Sequence, residues 1–152
     1  MKITDLLNIK SIAINPKVNS KNEAIDKLVD LMDASGNLVD KNEYKKAVLA
    51  REELSTTGIG DGIAIPHAGI SDGVFRTDFS FLILEKTVKF GDKKEANFFF
   101  IFSSTNKEEH IEILNDFYNI ILNKDFINKI PKINNYNILK KYIKEGGDCY
   151  NV

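Results

Sequence analysis

Two segments, FSFLIL at 79–84 and NFFFIF at 97–102, constrain the fold more than any other part of this chain. A strand with one face in water alternates apolar and polar residues, and these two do not. Strands that are apolar on both faces are central in their sheet and are covered on both sides. Whatever else the chain contains, it must supply helices for two faces of one sheet. A length of 152 residues suffices to do so in a single domain, taken as 1–152.

The remaining strands are shorter. KSIAIN at 10–15 alternates as a strand, IAI at 63–65 reads as extended, and TVKF at 87–90 reads as a strand separate from FSFLIL. Leu54 to Gly62 reads as loop. The first helix opens at Ser20, where Ser20 and Glu23 form a capping box in which each side chain satisfies the other residue's free N–H. Ile25, Leu28, Val29 and Met32 follow at helical spacing, and Gly36 is the stop signal. A second helix starts near Asp40, buries Tyr44, Ala47 and Val48, and ends near Arg51 or Glu52.

Thr105 and Glu108 read as a second capping box, opening a helix with a buried stripe of Ile111, Leu114, Tyr118 and Ile121. A short helix over 125–130 stops at Pro131, and a last one covers 135–144 before Gly146-Gly147. The order β-α-α-β-β-β-α-α-α predicts an α+β fold of the three-layer α/β/α kind: a mixed β-sheet with helices on both faces.

Charge and composition exclude several functions. Lys and Arg number 21 against 22 Asp and Glu, with no long block of one sign, so the chain is not built to capture nucleic acid or an anionic membrane surface. The longest apolar run, 98–102, is too short to span a bilayer, and MKITDLLNIK has no apolar core of a secretory signal. Cytoplasmic location is therefore expected. Cys149 is the only cysteine and reads as an incidental thiol. Two histidines without a cysteine pair make a metal site an unsupported reading.

GIGDGIAIPHAG, residues 58–69, holds one of those histidines. Pro66 fixes its own φ and keeps Ile65 extended, so His67 is presented on stiff backbone. Gly58, Gly60 and Gly62 permit positive φ and close backbone approach. A neutral imidazole is a competent nucleophile near pH 7, and phosphoryl transfer asks little more than in-line positioning and donors for the equatorial oxygens. Candidate donors are Arg51, the hydroxyls of Thr56 and Thr57, the backbone of Gly58 and Gly60, and His110 near a helix N-terminus. The glycines fit a plain turn as well as an anion cradle, and a lone histidine fits a structural role as well as a chemical one. The stretch is not a dinucleotide fingerprint, since no strand leads into it and Pro66 stops a helix from following. No GxSxG elbow is present.

REELSTTGIGDGIAIPHA, residues 51–68, closely resembles the active-site signature of the fructose/mannitol type of enzyme IIA, from the bacterial phosphoenolpyruvate-dependent sugar phosphotransferase system. Glu52, Ile59, Gly60, Ile63, Ala64, Ile65, Pro66, His67 and Ala68 meet it without a gap. The resemblance covers roughly residues 3–144, including the helix around KNEAIDKLVDLM and the one beginning EEHIEIL. It implies that His67 accepts a phosphoryl group from the phosphohistidine of the carrier HPr and passes it to a cysteine of a IIB domain. It further implies that Arg51 and His110 help hold the group, that no metal or organic cofactor takes part, and that the sugar is not bound directly. On this reading the glycines let two partner surfaces reach one imidazole, across a shallow apolar patch with a charged rim.

These 152 residues contain no phosphocysteine loop, no membrane segments and no HPr domain, so donor and acceptor are expected on separate polypeptides. Two other readings share the fold. One is a regulator of the nitrogen-related branch, acting through its phosphorylation state. The other is a non-catalytic binding module of the kind found in the cytoplasmic domain of band 3-type anion exchangers. The intact signature, both histidines and Arg51 weigh against the second.

Overall fold

The computed structural model describes residues 3–91 and 94–148; Cys149 lies outside them. The sheet has five strands: β1 (Ile12–Ile14), β2 (Gly58–Gly60), β3 (Gly62–Ala64), β4 (Asp78–Lys89) and β5 (Glu95–Ser103), in the order β1-β4-β5-β3-β2. β4 and β5 pair antiparallel at its centre, β1 runs parallel to β4 and β3 parallel to β5, and β2 closes the far edge against β3.

The two-sided strands behave as their composition demands. Phe79, Phe81, Ile83, Phe98, Phe100 and Phe102 point to one face, and Leu82, Leu84, Phe99 and Ile101 to the other. The first face carries α1 (Ile3–Leu6), α4 (Lys107–Ile121), α5 (Lys124–Lys129) and α6 (Tyr136–Asp148). The second carries α2 (Lys21–Ala34) and α3 (Lys41–Leu54). Phe117 of α4 stacks on Phe100 with ring centroids 4.2 Å apart, which anchors that helix to the sheet. The fold is the expected three-layer mixed sheet.

Local differences have local causes. FSFLIL and TVKF are one strand, β4, whose pairing with β5 shifts register between Ile83 and Val88. The stretch read as loop contains β2, because Gly58 finds a partner in Ala64 once Gly60, Asp61 and Gly62 turn the chain through positive φ. At the start of α2, Ser20 Oγ accepts the Glu23 N–H at 3.2 Å, but the Glu23 carboxylate reaches past Ser20 to the Asn19 N–H at 2.7 Å. α3 runs on to Leu54, where the extended Ser55 stops it.

In α4 the cap is Asn106 with Glu109, one residue later than Thr105 with Glu108. Glu109 N–H donates to Asn106 Oδ1 at 2.9 Å, and Asn106 Nδ2 donates back to Glu109 at 3.2 Å. The buried stripe moves as well, to Ile113, Phe117, Ile120 and Ile121, leaving Ile111 46% and Tyr118 42% exposed. This helix has apolar residues in two phases, and docking of Phe117 onto the phenylalanines of the sheet selects one. α6 continues through Gly146 instead of ending before it; a Cβ there would meet Ile120 and Phe126 at 3.4 and 3.5 Å, ordinary van der Waals contact, so the helix passes through this glycine without a close approach that demands it.

Candidate functional site

His67 is placed by β3. After Ala64 the chain stays alongside β5, so that His67 bridges Phe102 in parallel fashion. The imidazole lies flat on the Phe102 ring, with centroids 4.8 Å apart and planes 20° apart. Its Nδ1 is 2.8 Å from the Ile65 carbonyl. A carbonyl can only accept, so Nδ1 carries the proton and Nε2 the lone pair. Pro66 between them keeps the backbone in the shape that closes this bond.

His110 arrives from the first turn of α4, its ring edge-on to His67 at 5.7 Å and edge-on to Phe102 at 5.0 Å. One phenylalanine ring thus underlies both imidazoles. The Phe102 carbonyl accepts the buried Tyr44 hydroxyl at 2.6 Å, which ties the platform to α3. His110 Nδ1 meets the Ser104 hydroxyl at 2.6 Å. The loop after His67 is fastened to the same turn, since Ser71 N–H donates to the Ser104 carbonyl at 2.9 Å and Ser71 Oγ to the Thr105 carbonyl at 3.1 Å.

Arg51 sits in the last turn of α3, where Nη1 donates to the Ser55 carbonyl at 2.9 Å. The other guanidinium nitrogens have no partner among the described residues. Its charge is near enough to act on His67. Burial lowers the His67 pKa; the bond to Ile65 and the Glu52 charge oppose this, while Arg51 and His110 add to it. Burial lowers that of His110 too. Both shifts favour the neutral ring at pH 7.

The other sequence candidates serve the loop. Thr57 is buried and donates its hydroxyl to Glu52 Oε1 and its N–H to Glu52 Oε2, the latter at 3.2 Å. Glu52 is 8% exposed and also pairs with Lys21 at 2.9 Å. Thr56 donates its hydroxyl to the Phe90 carbonyl at 2.9 Å and accepts the Gly58 N–H at 3.1 Å. Gly58 is a glycine for room, because a Cβ there would stand 2.9 Å from the Phe90 carbonyl. Gly60 lies at the hairpin tip opposite Ile63, and Ile63 is itself four residues before His67. At roughly 3.3 Å per residue that is about 13 Å away along the strand. The structure brings Arg51, His67 and His110 to one region and leaves the threonines and glycines as the frame of the loop that leads there. Ser104, Tyr44 and Phe102 complete the site without any motif of their own; Tyr44 and Phe102 were legible only as core residues, and Ser104 carried no signal.

Fold and site together define a class: an α/β/α domain that offers two neutral imidazoles and a guanidinium at one end of its sheet. Residues 5–146 match the family model described as phosphoenolpyruvate-dependent sugar phosphotransferase system, EIIA 2. The chain belongs to that family and is a fructose/mannitol-type EIIA domain.

Its similarities span whole and partial relatives. It is 30% identical over 137 residues to the fructose-specific EIIA component of Haloferax volcanii, covering 86% of this chain and 88% of that one. It is 50% identical over 68 residues to the fructose-specific EIIABC component of Bacillus subtilis, covering 45% of this chain but only 11% of that much longer protein. Among solved structures, the mannitol IIA of Escherichia coli in complex with phosphorylated IIB superposes with a TM-score of 0.80 at 22% identity, covering 91% of this chain and 97% of that one. The nitrogen regulatory IIA protein of Neisseria meningitidis superposes with a TM-score of 0.81 at 23% identity, covering 93% and 98%. Among the described residues no helix is long and apolar enough to cross a membrane.

Proposed function

We propose that His67 is the phosphoryl acceptor of a sugar-transport relay, taking the group from the phosphohistidine of HPr and passing it to a cysteine of a fructose-type IIB domain. The observation that carries this reading is the bond from His67 Nδ1–H to the Ile65 carbonyl, which leaves Nε2 as the nucleophile. In the forward step Nε2 attacks phosphorus in line, the new P–N bond forms as the donor's P–N bond breaks, and the donor imidazole leaves with that electron pair. Arg51 and His110 offer donors for the equatorial oxygens, a term that removal of one donor typically weakens about a hundredfold. The second transfer repeats the geometry with a thiolate as nucleophile.

Two surfaces must dock on this face in turn. Ile70, three residues after His67, and Ile111, next to His110, are 41% and 46% exposed and offer apolar contact. A transient relay interface needs no more than a small patch of this kind. The names of the Haloferax and Bacillus relatives favour fructose over mannitol.

Incubation with labelled phosphoenolpyruvate, enzyme I and HPr tests the reading, comparing wild type with His67→Ala. Acid-labile label on the wild type alone is the expected result, and its transfer to a IIB cysteine completes it. The superposition on the nitrogen regulatory protein favours one second reading, a regulator controlling other proteins through its phosphorylation state. That reading gains if labelled protein passes nothing to any sugar-specific IIB. Absence of label, with HPr itself labelled, would leave the non-catalytic binding module.

A further inference from the structure

We infer that Ser104 acts as a positioning residue that fixes the tautomer of His110, holding the proton on Nε2 so that the two imidazoles of the site are opposite tautomers. Ser104 is 1% exposed, immediately after β5, and its hydroxyl lies 2.6 Å from His110 Nδ1. Among the described residues that ring nitrogen is the only partner of the hydroxyl. A buried O–H must find an acceptor, and an unmade bond there costs as much as a buried unsatisfied group. If Ser104 accepted from Nδ1–H, its own proton would have nowhere to go. Ser104 therefore donates, Nδ1 is the acceptor, and the ring proton sits on Nε2.

His67 is set the other way, with its proton on Nδ1 against the Ile65 carbonyl and its lone pair on Nε2. One ring is thus prepared to attack and its neighbour, 5.7 Å away, to donate. The consequence for transfer rests on the phosphocarrier reading; the tautomers themselves do not. In that relay a neutral His110 presenting a lone pair would repel the incoming phosphoryl oxygens, whereas Nε2–H offers them a donor without the desolvation cost of a buried cation. The Ser104 backbone is held from a second side, since its carbonyl accepts the Ser71 N–H at 2.9 Å, so the hydroxyl is delivered to one place.

Long-range proton–nitrogen correlation spectra of 15N-histidine-labelled protein at neutral pH distinguish protonated from unprotonated ring nitrogens. Wild type should show His110 protonated at Nε2 and His67 at Nδ1. In Ser104→Ala the His110 signals should shift toward a mixture of tautomers with His67 unchanged, and phosphoryl acceptance should fall about tenfold, the scale of one lost hydrogen bond. A wild-type His110 protonated at Nδ1, or a tautomer indifferent to Ser104→Ala, overturns the inference even if transfer proceeds. Should Ser104→Ala fail to fold, the wild-type spectrum still decides the tautomer, and the near-isosteric Ser104→Cys, a weaker donor, takes its place. A protein that accepts no phosphoryl group but shows the stated tautomers would refute the relay and leave the inference standing.

Discussion

His67 lies flat on Phe102, ring centroids 4.8 Å apart, and the same phenylalanine touches His110 edge-on at 5.0 Å. A core side chain is therefore the floor of the site. Its carbonyl is held by Tyr44 from the opposite layer, so packing on both faces of the sheet sets where the imidazoles stand.

Phe102→Leu keeps an apolar side chain but removes the flat support. Stability should fall by about 1–2 kcal/mol, since volume is largely kept. Phosphoryl acceptance should fall by about tenfold or more, a loss out of proportion to the melt, because misplacement of a reacting group by about 1 Å is costly. Stopped-quench labelling beside a thermal melt checks this; unchanged acceptance would show that the ring is only filler.

Arg51→Ala and His110→Ala should each slow acceptance about a hundredfold. Arg51→Ala should leave the melting temperature within a few degrees, whereas His110→Ala, which orphans the buried Ser104 hydroxyl, should lower it further. Both side chains are only partly buried, and Arg51 gives up one bond to the Ser55 carbonyl. A large drop in melting temperature in Arg51→Ala, or acceptance at the wild-type rate in His110→Ala, would assign that residue to the fold instead.

Glu52→Ala should destabilise more than Lys21→Ala although they form one ion pair. The Glu52 carboxylate is 4% exposed and also satisfies the N–H and hydroxyl of buried Thr57, whereas Lys21 is 28% exposed and can return to water. Orphaned buried donors cost about 1–3 kcal/mol, and a partly exposed pair contributes at most about 1 kcal/mol. Chemical denaturation of both variants gives the order, and equal losses would contradict it.

Burial holds both imidazoles below the ordinary histidine pKa of 6.5. The unfolded chain then binds protons that the folded chain refuses, so their contribution is complete above 6.5 and is lost as pH falls through 6.5 toward the lowered folded values. Asp78, raised by burial, works in the opposite sense in its own, more acid range. Between about pH 7.5 and 5 the wild type should lose more melting temperature than a His67→Ala, His110→Ala variant, and acceptance should fall off at a lower pH than an unperturbed imidazole would allow, because burial disfavours protonation of His67. A steeper loss in the variant would reverse the sign.

Much of this architecture was legible before folding was considered. The two-sided strands, the phase of α2 and the rigid presentation of His67 rest on composition, periodicity and the geometry of proline, all of which act within a few residues. The loss of phase in α4 shows where that ends: Ile111, Leu114 and Tyr118 make as good a stripe as Ile113, Phe117 and Ile120 until a sheet of phenylalanines chooses. Thr56 and Thr57 looked like anion donors for the same reason, because nothing local says that Phe90 and Glu52 will claim their hydroxyls.

By itself, then, the sequence determined a covered sheet, the helices to cover it, and a histidine held stiffly behind a proline. Only the tertiary structure decided that Gly58–Gly60 would become a strand, that Phe102 would lie beneath both imidazoles, and that Ser104 would meet His110. Local signals arise from bonded geometry and short-range hydrogen bonding, which adjacent residues set alone. The contacts of His67 and of Tyr44 with Phe102 join residues far apart in the chain and exist only once the layers close. Gly58–Ala64 and Ser104–His110 are short-range pairings among several that local geometry allows, and the closed layers select them.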